Sequence, residues 1–376
     1  NYIGAYAPIK KLFMRQVVFL VLICLISCKR SDKIELSYFG LEDFPETKCC
    51  KSDSIGIQVL DALSYHVLRD SLVLVTTRGH NGYFVEMYYL GSKQKVMNFA
   101  KKGLDTNQFA HARVFLNDKN TSTEFYLYNV ITNSIVEINI DSLLENRETF
   151  NYKKVYLSGY SSVPDFCKYD KGRYLVQNKY FSPVKNFNNN VDRFIFVNEK
   201  EFNVTNSTYS DFKKYNYYLS NINQVVMFSD VTKNRLWCAS KGEDRFDIYT
   251  RDSLRLLGSY IGPYHYDVEY VVGEAGGDLP LVVRDGLYSG YEAAVITDNY
   301  VYLLLGNQKY KSEIPKSDVI SDKSEIYKLS WEGKLLCRYI LDRYVYAFSM
   351  DSQEKYFYCT VDENRQLDPK FVRYEL

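Results

Sequence analysis

Three of the four histidines fall in segments that the sequence predicts as loops: His80, His111 and His265. A neutral imidazole is a common metal ligand, and one that titrates near neutral pH can act as a general acid or base. Three imidazoles that converge would therefore form a metal or ligand site. The simpler interpretation is that these loops carry polar residues that do not converge. The fourth histidine, His66, is predicted to end a strand.

The loops that carry these histidines are of two kinds in a repeated β-unit: one joins its second and third strands, and the others connect one unit to the next. Segment 78–82 joins the second and third strands of the first unit, 101–111 leads into the second unit, and 261–267 opens a long excursion before the fifth. Because antiparallel strands alternate in direction, loops of these two kinds lie at the same end of a unit. We expect a ligand face at that end, composed of His80, Lys101, Gln108, His111, Tyr264 and His265.

The repeated unit is an apolar strand, a tight turn with an aspartate, and a second strand rich in β-formers. Its clearest copy is 293–305, and the turn aspartates of the six copies are Asp70, Asp118, Asp170, Asp230, Asp298 and Asp351. A third and usually a fourth strand follow each copy. A β-unit repeated at roughly 40–50 residues or a little more indicates a propeller blade. The sequence therefore predicts an all-β, six-bladed β-propeller of four-stranded antiparallel blades, with a β-sandwich or a solenoid as the alternatives.

The last unit lacks a fourth strand, because 371–376 reads as its third. We predict that the N-terminal segment 34–39 supplies the missing strand, which would close the ring and remove an exposed sheet edge. The propeller is then expected over 34–376 as one domain. A short helical turn is predicted at 141–146, inside the second blade.

The N-terminal leader carries the most specific signal in the sequence. Met14 is the predicted start, Arg15 gives a charged first region, and 17–26 is an apolar stretch of ten residues. Such a stretch is too short to span a bilayer comfortably and is typical of a signal peptide. It ends at Ser27-Cys28 in a pattern that resembles the lipobox of bacterial lipoproteins, in which the cysteine is acylated. We expect 1–27 to be upstream residues and signal peptide, and 28–33 to be a lipidated linker.

The charge balance of the chain does not favour a nucleic-acid partner, and the positions of the cysteines predict which thiols are buried. Without 1–27 the chain would lose three cations and keep 44 basic against 46 acidic residues, so no basic stripe predicts nucleic-acid binding. Cysteines at 167, 238, 337 and 359 fall in predicted strands, where they are expected to be buried. Cys49-Cys50 is predicted in a loop before blade one, where either a disulfide or free thiols are compatible with an envelope protein.

No catalytic motif is present. The segment 273–278 is glycine-rich but is not followed by the lysine and helix of a phosphate loop, and no Gly-x-Ser-x-Gly elbow occurs. No cofactor is predicted. A divalent cation at the channel mouth remains the alternative, and it would make the protein a propeller hydrolase or lyase.

The lipobox, the repeated turn aspartates and the segment 103–109 together resemble the bacterial envelope lipoproteins with TolB-like (NHL-like) six-bladed propellers. The segment resembles a Gly-x-Gly-Pro-x-Glu-Phe loop but lacks its second glycine, its proline and its glutamate. The resemblance covers 28–376 and implies fold and envelope location. It brings no catalytic residues.

The expected function is that of a binding or scaffolding module, lipid-anchored to the outer membrane of a bacterial cell. Its ligand would be a glycan, a peptide or a partner protein on the face with the long predicted loops 180–192, 263–289 and 306–323. Long loops on a rigid scaffold are where binding residues concentrate. A purely structural envelope component is the third possibility beside the binding module and the enzyme.

Overall fold

A computed structural model gives the fold from residue 36 onward as one compact unit. It describes residues 36–116, 123–147, 149–156, 165–170, 172–177, 194–198, 202–204, 224–264, 270–272, 281–283, 290–306, 323–361 and 369–376. In these ranges no helix is long and apolar enough to cross a membrane.

The chain begins with three short strands and a 3-10 turn at Leu41–Asp43. The strands are β1 (Leu36–Tyr38), β2 (Thr47–Cys50) and β3 (Ser52–Ser54). Blade one follows as β4 (Ala62–Leu68), β5 (Leu72–Thr77), β6 (Tyr83–Tyr89) and β7 (Lys95–Lys101). Blade two is β8 (Arg113–Phe115), β9 (Glu124–Asn129), β10 (Ser134–Asn139) and β11 (Lys154–Tyr156), with helix α1 (Ile140–Glu145) inserted before its last strand.

Four further blades complete the ring. Blade three is β12 (Phe166–Asp170), β13 (Arg173–Gln177), β14 (Phe194–Asn198) and β15 (Phe202–Val204). Blade four is β16 (Val225–Asp230), β17 (Arg235–Ser240), β18 (Arg245–Thr250) and β19 (Leu256–Ile261), followed by a separate hairpin, β20 (Tyr270–Val272) and β21 (Leu281–Val283). Blade five is β22 (Tyr291–Ile296), β23 (Tyr300–Leu305), β24 (Glu325–Ser330) and β25 (Leu335–Leu341). Blade six contains β26 (Val345–Met350), β27 (Tyr356–Val361) and β28 (Lys370–Glu375).

The architecture confirms the predicted all-β six-bladed propeller with antiparallel blades. The hairpin at 293–305 is the inner pair of blade five, as the sequence predicts, and the helical turn predicted at 141–146 is α1. The segment 263–289, predicted as a long loop, contains the paired strands β20 and β21.

Apolar clusters fill the interfaces between neighbouring blades. Leu74 and Met87 of blade one pack with Leu127 of blade two, and Val67 of blade one packs with Phe371 of blade six. The remaining interfaces have clusters of the same kind. Each blade therefore buries both of its faces, and the alternation of side chains along a strand divides them between the two neighbouring blades.

The N-terminal strands close the ring, but the prediction that segment 34–39 supplies the fourth strand of blade six is wrong. β1, within the predicted segment 34–39, pairs in parallel with β19 and adds a fifth strand to blade four. β2 pairs in parallel with β25 of blade five, and β3 pairs antiparallel with β28 to supply the fourth strand of blade six. Residues 36–54 therefore lie along the outer edges of three blades before the chain enters blade one.

The same pairing corrects the placement of Cys49-Cys50, which lie in β2 and not in a loop. Cys50 is buried and Cys49 is exposed. The cysteines at 167, 238, 337 and 359 are buried in strands, as predicted.

Blade six is joined to blade one by polar contacts as well as by apolar packing. The innermost strand of blade one, β4, has amide groups that no neighbouring strand pairs. The Tyr65 amide donates to the Thr360 hydroxyl (2.9 Å) and the Val67 amide to the Ser349 hydroxyl (2.8 Å). At the turn after β4, Asp70 accepts a hydrogen bond from the Ser352 amide (2.8 Å). Buried acceptors on blade six thus satisfy the free edge of blade one.

Replacing Thr360 with valine is expected to lower the free energy of unfolding by about 1–3 kcal/mol, because the buried Tyr65 amide loses its acceptor. The matched control is Thr76→Val in β5. The Thr76 hydroxyl is equally buried and has no hydrogen-bond partner in the described part of the chain, so its loss should be neutral or stabilising. Urea unfolding of both variants measures the difference; equal destabilisation would contradict the closure contact.

Candidate functional site

The mouth face is the end of the ring that carries the second-to-third strand loops and the connections between blades. On blade one, loop 78–82 and connection 102–112 lie side by side, because the Lys102 amide donates to the Gly82 carbonyl (2.8 Å). The Arg78 amide donates to the Asp61 carbonyl (3.1 Å), which adds the segment entering β4. Main-chain bonds therefore fix three adjacent segments of the mouth face.

These segments present a group of charged side chains, which we call the blade-one patch: Asp61, Arg78, His80, Lys101 and Lys102. The Asp61 carboxylate hydrogen-bonds His80 Nδ1 and lies 4.0 Å from the Arg78 guanidinium. His80 is 66% exposed and Asp61 only 15%, so the imidazole lies above the carboxylate and open to solvent. Lys101 and Lys102 are exposed, and neither has an ion-pair partner among the described residues.

The backbone beneath the patch is shaped by a tight loop around Phe109. Lys102 forms an isolated parallel β-bridge with Phe109, and the Gly103 amide donates to the Phe109 carbonyl (2.9 Å). Gly103 has φ +154°, a value that favours glycine. Phe109 is fully buried. Lys154 of blade two donates to the Gln108 carbonyl (2.5 Å) and lies 4.8 Å above the Phe109 ring. Burial lowers the pKa of Lys154.

Two of the predicted site residues on this connection support the loop. The Gln108 side chain accepts a hydrogen bond from the Asp105 amide (3.4 Å), so it stabilises the turn. The His111 ring packs against Phe84, with 5.7 Å between ring centroids, and its Nδ1 is buried without a partner in the described part of the chain. Burial and the nearby Arg113 lower the pKa of His111, which favours the neutral imidazole.

A second polar group lies across the interface of blades four and five. Asp244, at the end of the loop between β17 and β18, is fully buried and accepts hydrogen bonds from the Tyr291 hydroxyl (2.6 Å) and the Tyr264 amide (3.2 Å). The Gly262 amide donates to the Asp244 carbonyl (2.7 Å), and a methyl group at Gly262 would overlap the carboxylate. The start of the connection to blade five is therefore held by one aspartate.

The group continues through the Tyr264 hydroxyl, which donates to Glu325 of blade five (2.8 Å). Arg338 binds both Glu325 oxygens, at 2.7 and 2.6 Å, and Glu325 is 5% exposed. We call Asp244, Tyr264, Tyr291, Glu325 and Arg338 the interblade network. The guanidinium binds Glu325 alone of the two carboxylates, and Tyr264 connects Glu325 to Asp244 through its hydroxyl and its amide. These hydrogen bonds between partners far apart in sequence connect the blades.

Burial decides the charge state of the network. Burial, which outweighs the hydrogen bonds from Tyr291 and Tyr264, raises the pKa of Asp244 to about 6, and the nearby Glu325 and Glu243 contribute to this rise. Glu325 raises the pKa of Arg338, which therefore stays charged. Asp165, at the start of β12, is equally buried, accepts from the Met227 amide (3.0 Å), and has a pKa raised by burial to about 6.

The six predicted face residues thus separate into three sets. His80, Lys101, Gln108 and His111 lie on the adjacent segments of blade one, Tyr264 belongs to the interblade network, and His265 is outside the described residues. The loop 180–192 and most of 263–289 and 306–323 are outside them too. In the ranges described, no group of three or more His, Cys, Asp or Glu side chains could hold a metal ion.

Sequence reasoning missed Asp244, Glu325 and Arg338, as well as Asp61 and Arg78 of the patch. Asp244 had one usable signal, since it ends a short second-to-third strand loop and so belongs to the mouth face. Glu325 and Arg338 lie within strands, and nothing in their spacing indicates that Tyr264 would reach them.

Fold and site together define a six-bladed β-propeller whose mouth face carries polar side chains on short, fixed connections. The model of the TolB-like 6-blade propeller-like family matches residues 43–353, and the chain belongs to this family. No curated protein matches it.

Solved structures resemble the chain at low sequence identity. A member of the DUF4221 family from Bacteroides vulgatus is 9% identical, with a TM-score of 0.56 over 87% of this chain and 96% of that one. A protein from Bacteroides fragilis described as exported is 10% identical, with a TM-score of 0.49 over 87% of this chain and 98% of that one.

Asp244 should make the stability of the protein depend on pH. A carboxyl whose pKa is raised in the folded state contributes stability at low pH, and that contribution is lost as the pH rises through about 6. The difference in unfolding free energy between the parent and Asp244→Asn should fall by roughly 1–3 kcal/mol between pH 4 and pH 7.

Urea unfolding at several pH values measures this difference, with the exposed Asp53→Asn as control. A difference that is the same at every pH would show that Asp244 titrates as an ordinary carboxyl and would contradict the assignment.

Proposed function

We propose that the protein is a lipid-anchored module of the bacterial cell envelope that binds a glycan, peptide or partner protein bearing negative charge through the blade-one patch. The observation that carries the proposal is the pair of adjacent connections at the mouth of blade one. Main-chain hydrogen bonds hold them together, and they present His80 and Lys102 to solvent beside Lys101, the exposed last residue of β7.

The charge of the patch supports an anionic ligand. Arg78, Lys101 and Lys102 are cationic; the exposed side of the patch has the carboxylates Asp61 and Asp105, while Glu86, which accepts from Asn81, is buried and paired with Lys95. Asp61 already contacts His80 and Arg78. The two lysines are therefore the groups best suited to meet a carboxylate or sulfate on a ligand, and the fixed backbone lowers the entropy lost on binding.

The patch also fits recognition of a sugar chain. Arg78 and His80 have planar polar groups with several hydrogen-bond donors, which can orient on a carboxylate or on hydroxyl groups. The anchor is supported by the sequence alone, through the apolar stretch 17–26 and Ser27-Cys28. An anchored propeller with a charged face would hold its ligand at the membrane surface.

Replacing Lys101 and Lys102 with alanine should weaken binding to an acidic polysaccharide about fivefold or more, because two cations that face the ligand are lost. Affinity electrophoresis with polygalacturonate, and with uncharged dextran as the neutral probe, measures the effect. The matched control is Lys93→Ala with Lys334→Ala, two exposed lysines in third-to-fourth strand turns at the other end of the ring.

Retardation by polygalacturonate that weakens with added salt, and that only the first pair of substitutions reduces, supports the patch. Equal losses in both double variants would show that net charge alone is responsible. Absence of retardation in the parent protein would contradict an acidic glycan as the ligand.

The anchor has a separate test. Cys28→Ala should move the protein from the membrane fraction to the soluble fraction, because the acylated thiol is lost. Cys24→Ala, which changes a cysteine inside the apolar stretch, should leave the protein with the membrane. Detergent phase partition of the cell fractions measures both variants, and a membrane-bound Cys28→Ala protein would rule out the lipid anchor.

A further inference from the structure

The outer edge of blade four exposes apolar side chains on two paired strands. Leu36 and Tyr38 of β1 are 41% and 67% exposed, and Leu257 of β19 is 38% exposed. β1 pairs Leu36 with Ser259 and Tyr38 with Ile261, and Leu257 lies two residues before Ser259 in β19, so the three residues lie along one short stretch of the same sheet edge. We call Leu36, Tyr38 and Leu257 the blade-four edge.

This edge is also the first part of the propeller that the chain reaches after Cys28. Seven residues, 29–35, lie between Cys28 and β1. A fully extended chain spans at most about 3.6 Å per residue, so eight steps from Cys28 to Leu36 reach about 29 Å. A lipid on Cys28 would therefore keep the blade-four edge within that distance of the lipid headgroups.

The chemistry of the edge matches that of a bilayer interface. Tyrosine is enriched at membrane–water interfaces, where its ring meets the acyl boundary and its hydroxyl stays hydrated. Leu36 and Leu257 add apolar surface that contact with lipid would remove from water. The linker 29–35 carries Lys29, Arg30 and Lys33 against Asp32 and Glu35, and its two cations directly after the anchor favour anionic headgroups.

We infer that the blade-four edge lies against the surface of the membrane, so that the propeller rests on its side with blade four toward the lipid. This inference depends on the proposed lipid anchor. It adds an orientation of the propeller relative to the membrane. The blade-one patch lies three blades around the ring from the blade-four edge and would therefore point away from the bilayer.

Tryptophan fluorescence tests the orientation, because the protein has two tryptophans and both are buried, Trp237 and Trp331. The acylated Tyr38→Trp protein is placed in phosphatidylethanolamine–phosphatidylglycerol vesicles whose acyl chains are brominated near the headgroup. The matched variant is Tyr156→Trp, which changes a tyrosine with 56% exposure on the outer strand of blade two. Both variants keep an aromatic ring at an exposed position and should fold.

The new tryptophan at position 38 should lose about half of its emission on brominated lipid, and that at position 156 should be unchanged. Equal emission of Tyr38→Trp on brominated and ordinary vesicles, with the protein still bound, would overturn the orientation and leave the anchor intact. A Cys28-intact protein that fails to bind the vesicles would overturn both. Quenching of the two variants alike would show that the propeller has no preferred side.

A second copy of the chain or a partner protein on the same edge gives a different result. Emission of Tyr38→Trp would then shift to the blue in solution with rising protein concentration, or on addition of cell extract, without brominated lipid. Either shift in the absence of quenching on vesicles would contradict the membrane contact.

Discussion

Closure of the ring is the constraint on which the rest of this structure depends. Five of the six blade interfaces join blades that follow each other in the chain. The sixth joins blade six to blade one, which are separated by nearly the whole sequence. The contact is made by β3 on β28, by buried hydroxyls on the free amides of β4, and by the packing of Val67 and Phe371. Loop closure over such a length costs entropy, so these contacts have to be strong enough to offset it.

Closure and the mouth face are physically linked. The segment that leaves β3 and enters β4 carries Asp61, and its carbonyl anchors loop 78–82 through the Arg78 amide. The blade-one patch therefore rests on the segment that follows the closing strand. The interblade network plays a similar part between blades four and five, where Asp244 holds the first residues of the connection that follows β19.

The strands and turns of each blade could be predicted from the sequence, but most contacts between blades could not. Strand alternation and a turn aspartate are local signals, and Asp230 and Asp351 do accept backbone amides within their turns. The three strands of 36–54 are three or four residues long, and no local pattern tells which edge each will pair with or in which direction. The interblade network could not be predicted, because Tyr264 and Glu325 are 61 residues apart in the sequence. His111 was predicted as a ligand-face residue, whereas its ring packs on Phe84.

Native-state hydrogen exchange of the Tyr65 and Val67 amides tests the central claim, that blade six closes the ring as part of one cooperative structure. If it does, these amides exchange only when the whole propeller unfolds, with the same opening free energy as the inner-strand amides of blade five, such as Leu303. If they exchange through a much smaller opening, blade six separates from blade one in the native state. The ring would then not be closed as described, and the fixed mouth face that depends on it would be contradicted.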